Sequence, residues 1–471
     1  MIRARHAAAG TALAHELAEF ASGLTLDDVP QDVVVAAKLH LLDTVGCALA
    51  AHAYGGGDHV LASVKSWAGV EQASIVGYRR LLPAPAVALA NGVLSHALDF
   101  DDTHTASISH VTAVVAPAGL AVAEALGASG ADLVTALVAG SEIVARIGAD
   151  AAPAYMQTGF HPTSVCGVFG AAAAASRLLG LDRDKTTAAL GIAGSLASGI
   201  FEYLADGSTT KPLHAGWAAQ GGVMAALFAE SGGSGPPTVL EGRFGVFATH
   251  FRLSARGAPR PDWELGARWE TLAISFKPYP ACHFVHSALD AARFMLGSGL
   301  DSSDIDSVLV SVPEAAVPLV LEPHKHKRRP RTPYEAKFSL QFSLASMLKH
   351  GRVGIRTYDE SRIDEPEVLD LANRVEYEVE SFPDYPQVLP TRVTVHSGGR
   401  VLATRRAPEE GALPAFGEED VRHKFRENAE LALEPEDVRV LESAILALET
   451  APDVRAVTAP LRRAATRTVA R

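Results

Sequence analysis

Residues 159–181 read GFHPTSVCGVFGAAAAASRLLGL. From Ser164 to Leu179 the run has helical spacing and is apolar nearly all the way round, with Ala and Gly where a surface helix would carry charges. Such a helix has no polar face for water, so it belongs at the centre of a larger helical body. His161 precedes Pro162, which favours extended backbone in the residue before it. The histidine is therefore expected in the connection that enters the helix, where unpaired backbone N–H groups suit an anion.

Outward from this stretch the same composition recurs. Val33–Ala51, Ala88–Leu98, Val111–Leu126, Leu133–Arg146 and Trp217–Ala229 repeat apolar residues at helical spacing, punctuated at Pro83–Pro85 and Ser231–Pro237. In the N-terminal MIRARHAAAGTALAHELAEF, His15 and Glu16 interrupt the apolar run, which predicts an amphipathic helix and not a signal peptide. Near residue 270 the pattern changes. Asp306–Val312 and Arg374–Val379 alternate as strands, and Thr391–Val395 and Val401–Thr404 flank a glycine-containing hairpin connection. A helix is expected over Tyr334–Lys349, and helical spacing returns from Glu418, with Pro435 near a helix start. The expected fold is mainly α: a large all-α helical domain, residues 1–270 plus 412–471, with an inserted α+β lid domain, residues 271–411. Acidic Pro408–Asp420 reads as a linker.

Of the 471 residues 48% are hydrophobic and 20% charged, enough to bury a large core. A net charge of −12 argues against a nucleic-acid partner, though a few local cations can still bind a small anion. No run of about 18 uninterrupted apolar residues predicts a membrane span. Cys47, Cys166 and Cys282 are too scattered for a zinc site, an iron–sulfur cluster or a disulfide framework, which suits a reducing, cytoplasmic setting. There is no P-loop, G-x-S-x-G elbow or H-E-x-x-H motif.

The densest polar segment is HALDFDDTH, residues 96–104, followed by His110. Asp101, Asp102 and Thr103 are good N-cap residues for the helix near Val111. Three neighbouring carboxylates also repel unless cations or hydrogen bonds compensate them, and the histidines titrate near neutral pH. With no second ligand set at metal-site spacing, no metal is expected. Further segments of interest are STTKPLHAG (208–216), with Lys211 and His214, and SFKPYPACHFVH (275–286), with Lys277, Cys282, His283 and His286 at the domain boundary. The basic run from His324 to Lys337 reads as a solvated loop, including Lys325, Lys327 and Arg328.

LLDTVGCALA (41–50), NGVLSHALDFDDTH (91–104), GFHPTSVCGVFGAAAAASRLLGL (159–181), TTKPLHAGWAAQGG (209–222), VLEGRFGVF (239–247), FKPYPACHFVH (276–286) and RTPYEAKFSL (331–340), in this order, resemble the MmgE/PrpD family. Its members include 2-methylcitrate dehydratase, cis-aconitate decarboxylase and iminodisuccinate epimerase. The resemblance implies a helical domain plus lid, a homodimer, a site between the domains and no cofactor. It makes His110, His161, Asp99, Lys211 and Lys277 the expected catalytic residues. Thr103, with Asp102, His104, His283 and Tyr155, forms the expected substrate-binding set. Two positions depart from the family: His283 stands where relatives often carry arginine, and Gln341-Phe342 where they often carry tyrosine. The expected activity is metal-independent dehydration of a small hydroxy-polycarboxylate, such as 2-methylcitrate, by proton transfer beside a carboxylate. Epimerisation or decarboxylation of an iminodisuccinate- or cis-aconitate-like acid is the alternative, and a non-catalytic binding protein is the rival from another class.

Overall fold

The computed structural model describes residues 11–465 except 68, 207, 254–261, 386–387 and 408–415, so most of the expected linker at Pro408–Asp420 lies outside the described residues. The fold is mainly α, as the sequence predicts. The helical body is built on Gln31–Ala53, Ala84–His96, Thr112–Leu126, Gly130–Ala151, Pro162–Leu178 and Thr210–Glu230, with the N-terminal helix Leu13–Gly23 against it. Gln31–Ala53 is long and apolar enough to cross a bilayer (23 residues, mean hydropathy 1.7), but 89% of its apolar window is buried within the protein.

Small residues let these helices meet backbone to backbone. A Cβ on Gly92 would lie 2.6 Å from Gly216 Cα, and one on Gly222 would lie 2.5 Å from Ala172 N. Thr210–Glu230 is thus pressed against both Ala84–His96 and Pro162–Leu178. This close approach carries Lys211 and His214, at the start of Thr210–Glu230, to the ends of its two neighbours.

The described residues form two hydrophobic cores. One gathers buried residues between Leu13 and Ile274 and between Phe425 and Ala464. The other runs from Tyr279 to Ala407. Glu418–Ala429 returns to the helical body, with Phe425 3.1 Å from where a Gly46 Cβ would stand. The second core lies on a four-stranded sheet ordered Val375–Val379, Ser307–Val312, Thr391–Ser397, Arg400–Ala407. The first pair is parallel and the others antiparallel. Gly398 and Gly399, with φ of 55° and 72°, turn the hairpin, so the strands run closer to the turn than the sequence suggested.

Two sequence expectations fail here. The helix expected over Tyr334–Lys349 is two helices, Pro333–Ala336 and Leu340–His350. The break lets Lys337 turn inward, and Ser339 caps the second helix by accepting from Phe342 N at 3.0 Å. The basic run is not wholly solvated either. Lys327 is buried, and its Nζ donates to Leu319 O and Phe338 O, both at 2.8 Å. Burial pushes its pKa down to about 8.

The link between the cores is tied down by a buried ion pair. Arg146 bonds Glu142 within Gly130–Ala151 and donates to Trp263 O at 2.7 Å and Arg268 O at 2.6 Å. Glu142 accepts from Thr271 N at 2.7 Å and Glu270 N at 3.0 Å. This anchors the segment leading to Lys277.

Candidate active site

His96 ends its helix, and the chain turns through Asp99, whose φ of 53° is left-handed. Aspartate tolerates this region better than most residues, but an ordered non-glycine there marks a site held by its surroundings. Three consecutive carbonyls of the turn each receive a lysine. Lys337 Nζ donates to Leu98 O at 2.9 Å, Lys277 Nζ to Asp99 O at 3.0 Å, and Lys424 Nζ to Phe100 O at 2.7 Å. The lysines come from three separate parts of the chain.

The Asp99 carboxylate is fully buried, and its Oδ1 accepts from Lys211 Nζ at 2.6 Å and Lys277 Nζ at 3.0 Å. His110 Nε2 lies 3.8 Å from the same oxygen. Beside it, Asp101 accepts from His96 Nδ1 at 2.9 Å, with His110 Nδ1 at 3.1 Å but poorly aligned. Burial alone would raise the pKa of both aspartates. The lysines outweigh it at Asp99 and the histidines at Asp101, holding each carboxyl well below its usual range. Burial pushes His110 down to about 3 against the pull of Asp101, and holds His161 well below its ordinary value. The site therefore sets neutral, buried imidazoles beside a carboxylate neutralised by two lysines. An ammonium has three donors. Lys211 spends one on Asp99 and Lys277 two, leaving three N–H groups without a hydrogen-bond partner among the described residues.

His161 is the N-cap of Pro162–Leu178, as its place before proline predicts, and its ring nitrogen Nδ1 is 3.0 Å from His214 Nδ1. The His161 ring lies 6.0 Å from that of His96 and 6.5 Å from that of His110. Several buried polar atoms in and near this cluster have no hydrogen-bond partner among the described residues: Asp99 Oδ2, His96 Nε2, Thr103 Oγ1, Tyr334 OH and His283 Nδ1. Unsatisfied buried groups are costly and gather where a polar ligand completes them. Burial pushes the Tyr203 and Tyr334 phenols well above their ordinary range, so both remain protonated donors.

Ligand atoms of His96, Asp99, Asp101 and His110 also lie within 4.8 Å of one another, a grouping that recognises cations. A divalent ion there would face the two ammonium groups already on Asp99 Oδ1. The lysines supply the positive charge that such an ion would bring, so the residues fit an anion-binding, acid–base site better than a metal centre.

The five expected catalytic residues Asp99, His110, His161, Lys211 and Lys277 come together from four segments. Thr103 joins them through a short pairing with Ser275, two residues before Lys277. His283 is half-buried with its Nδ1 enclosed, and desolvation and Lys277 lower its pKa to about 4, so it offers a neutral donor and not a cationic clamp. Three expected substrate-binding residues are spent elsewhere. Asp102 accepts from Thr112 N at 3.2 Å and pairs with His40 at 2.9 Å, so it caps a helix, as its local sequence allowed. His104 meets Ser107 Oγ at 2.9 Å and Glu270 at 3.2 Å. Tyr155 donates to Gly148 O at 2.9 Å, packs edge-on to Phe251, and has no contact with the cluster among the described residues. Phe342 is buried in the second core and lies 6.2 Å from the Tyr358 ring. Cys282 is half-buried and burial raises its thiol, which argues against a thiolate nucleophile. The residues that sequence reading did not select are His96, Asp101, Tyr203, His214, Tyr334 and Lys337. All but Tyr203 lie inside segments already singled out, but only the fold shows which of their neighbours share the site.

A helical body and an α+β unit meet at a buried cluster of histidines and carboxylates compensated by lysines. The chain belongs to the MmgE/PrpD family: residues 15–256 match its N-terminal domain and residues 279–450 its C-terminal domain. It is 32% identical to the cis-aconitate decarboxylase of Homo sapiens over 81% of this chain and 80% of that protein. Its identity to the cis-aconitate decarboxylase-like protein oryM of Aspergillus oryzae is 28%, over 93% of this chain and 95% of the other. With the cis-aconitate decarboxylase of Aspergillus terreus it shares 27%, over 93% and 94%.

Proposed function

We propose that the protein is a lyase that decarboxylates a small unsaturated polycarboxylate of the cis-aconitate type by acid–base chemistry, without a metal. The observation that carries this is the pair of lysines on Asp99, with three free N–H donors beside His110 and His161. When the carbon–carbon bond to a carboxylate breaks, carbon dioxide leaves and its electron pair stays on carbon. Fixed positive charge in a closed site stabilises that pair, and a histidine then delivers a proton to the carbon. The histidines are neutral in the free protein because burial disfavours their charge. A polyanion raises their pKa on binding, so the proton enters with the substrate. Loss of water from a hydroxy-polycarboxylate would use the same groups, with a histidine protonating the departing hydroxide. The names of the relatives favour loss of carbon dioxide.

Proton NMR in D₂O with EDTA, over cis-aconitate, 2-methylcitrate and iminodisuccinate, tests this. Carbon dioxide release with deuterium entering the product is expected from cis-aconitate. Turnover only of 2-methylcitrate, with loss of water, would reassign the reaction. In the same assay His161→Ala is expected to lose at least about 10²-fold in kcat, the scale of general acid–base catalysis, with its melting temperature nearly unchanged.

The protein is further proposed to act as a homodimer. Leu213, Trp217, Met224 and Phe228, on Thr210–Glu230, are 42%, 46%, 48% and 58% exposed. Their spacing of four, seven and four residues makes one apolar stripe, a kind of surface that marks association. A second copy of the same face would cover it in a self-complementary contact. Light scattering should show a dimer for the wild type and a monomer for Trp217→Glu combined with Phe228→Glu. A monomeric wild type at micromolar concentration would sink the proposal.

A further inference from the structure

We propose that His214 is a positioning residue for His161: it accepts the hydrogen bond of His161 Nδ1–H and so fixes Nε2 as the nitrogen that exchanges protons with substrate. This rests on the acid–base role of His161 proposed above.

The two Nδ1 atoms lie 3.0 Å apart, with ring centroids separated by 5.2 Å. Two ring nitrogens at that distance share a single proton. Two lone pairs would repel and two N–H groups would collide, so one ring donates and the other accepts. Both rings are buried, with 3% of His161 and 6% of His214 exposed. When His161 holds its second proton, both of its nitrogens carry hydrogen. Nδ1–H then needs an acceptor, and His214 Nδ1 is the one within reach among the described residues. If His161 donates to His214 in its neutral form as well, no tautomer has to rearrange between the base and acid states. His161 Nε2, which has no protein partner among the described residues, is then the atom that gains and loses the proton. In the decarboxylation the imidazolium gives its Nε2 proton to the carbon that keeps the electron pair. Nδ1–H stays on His161, and His214 changes no proton.

The surroundings hold this geometry. Gly199, with φ of 101°, passes so close that a Cβ there would lie 3.3 Å from His214 Cγ and 2.7 Å from Ser164 Cβ. Gly199 O accepts from His161 N at 3.0 Å, and Ser164 Oγ donates to His214 O at 3.3 Å. Tyr203 packs edge-on to both rings, at 6.0 Å and 5.8 Å. The pair is thus fixed from the loop at Gly199, from the start of Pro162–Leu178 and from the start of Thr210–Glu230.

Three variants of the full chain test the assignment: His214→Leu, which keeps bulk without an acceptor; His214→Asn, whose Oδ1 falls near the place of Nδ1; and His214→Gln, whose amide reaches past it. His214→Leu is expected to lower kcat by about 10²-fold, to change KM less than about 3-fold, and to move the basic limb of the kcat–pH profile to lower pH, because the imidazolium loses its acceptor. His214→Asn should recover most of kcat and the wild-type limb, and His214→Gln should not. Wild-type kcat and limb in His214→Leu would overturn the inference, as would equal activity of the Asn and Gln variants. If His214→Leu does not fold, the Asn–Gln comparison decides. The outcome for His161→Ala separates the two readings. Activity retained there removes the acid–base role itself, whereas activity lost there but kept in His214→Leu removes only the positioning role.

Discussion

Asp99→Asn is expected to lower kcat/KM by about 10³-fold, the upper end of what one fixed electrostatic partner supplies in a closed site, and to lower the melting temperature by several degrees. The substitution keeps the side-chain shape, and asparagine tolerates a φ of 53° as well as aspartate does. What changes is charge. In the wild type one buried carboxylate oxygen holds Lys211 at 2.6 Å and Lys277 at 3.0 Å. The amide oxygen can stand in the place of Oδ1 and accept from both lysines, but it carries no negative charge, leaving buried positive charge uncompensated. Removing one partner of a buried pair costs about 3–5 kcal/mol. Part of that is relieved if a lysine gives up its proton, but then the substrate loses a cationic partner. Stability and activity should therefore separate in the double variant Asp99→Asn, Lys277→Met. Removing the stranded charge should restore much of the melting temperature and none of the turnover. Calorimetry and steady-state kinetics on the two variants and the wild type provide the check. Full activity in Asp99→Asn would show that the lysines keep their geometry without it.

The helical body was legible because its helices advertise burial directly. A run such as Val165–Ala175 has no polar face, so its place in the fold follows from composition alone. The strands were legible by alternation and the hairpin by its two glycines. The failures share another cause. Lys327 and Lys337 sit in a basic run that looks solvated, yet each ends on two backbone carbonyls, and the partners of Lys337 are 239 and 57 residues away. A lone lysine carries no local sign that carbonyls will converge on it. Asp102 shows the opposite error, since its capping role was written locally and its assignment to substrate was not. The residues that converge on Asp99 were visible as motifs, but the chemistry proposed for them depends on which lysine meets which carboxylate. That is decided by the Gly92–Gly216 approach, where two glycines matter only because they face each other.

Lys337→Met is the second variant expected to do severe damage, although Lys337 belongs to no proposed catalytic step. Its Nζ donates to Leu98 O at 2.9 Å and Pro280 O at 3.1 Å, and sits 4.7 Å over the Tyr358 ring. It thereby fastens the turn that carries Asp99 to the segment that carries Lys277. Methionine fills the space but leaves two buried carbonyls without this donor, at about 1–3 kcal/mol each. Loosening the Asp99 turn by an ångström is enough to cost about 10²-fold in turnover. The stability loss should depend on pH in a definite direction. Burial first, and Lys277 against the pull of Asp99, lower the pKa of Lys337 from 10.5 to about 7. Between those values the unfolded chain binds the proton and the folded protein does not, so the contribution of Lys337 to stability rises with pH across that window. Below about 7 the folded protein bears the full cost of a buried ammonium, and methionine is spared it. Above 7 the neutral amine still donates to both carbonyls, and the cost of giving up the proton on folding falls steadily as the pH approaches 10.5. The melting-temperature gap between wild type and Lys337→Met should therefore widen from pH 6 to pH 9 in thermal scans. A gap that stays constant or narrows would mean that Lys337 remains charged throughout and is compensated in place by Asp99.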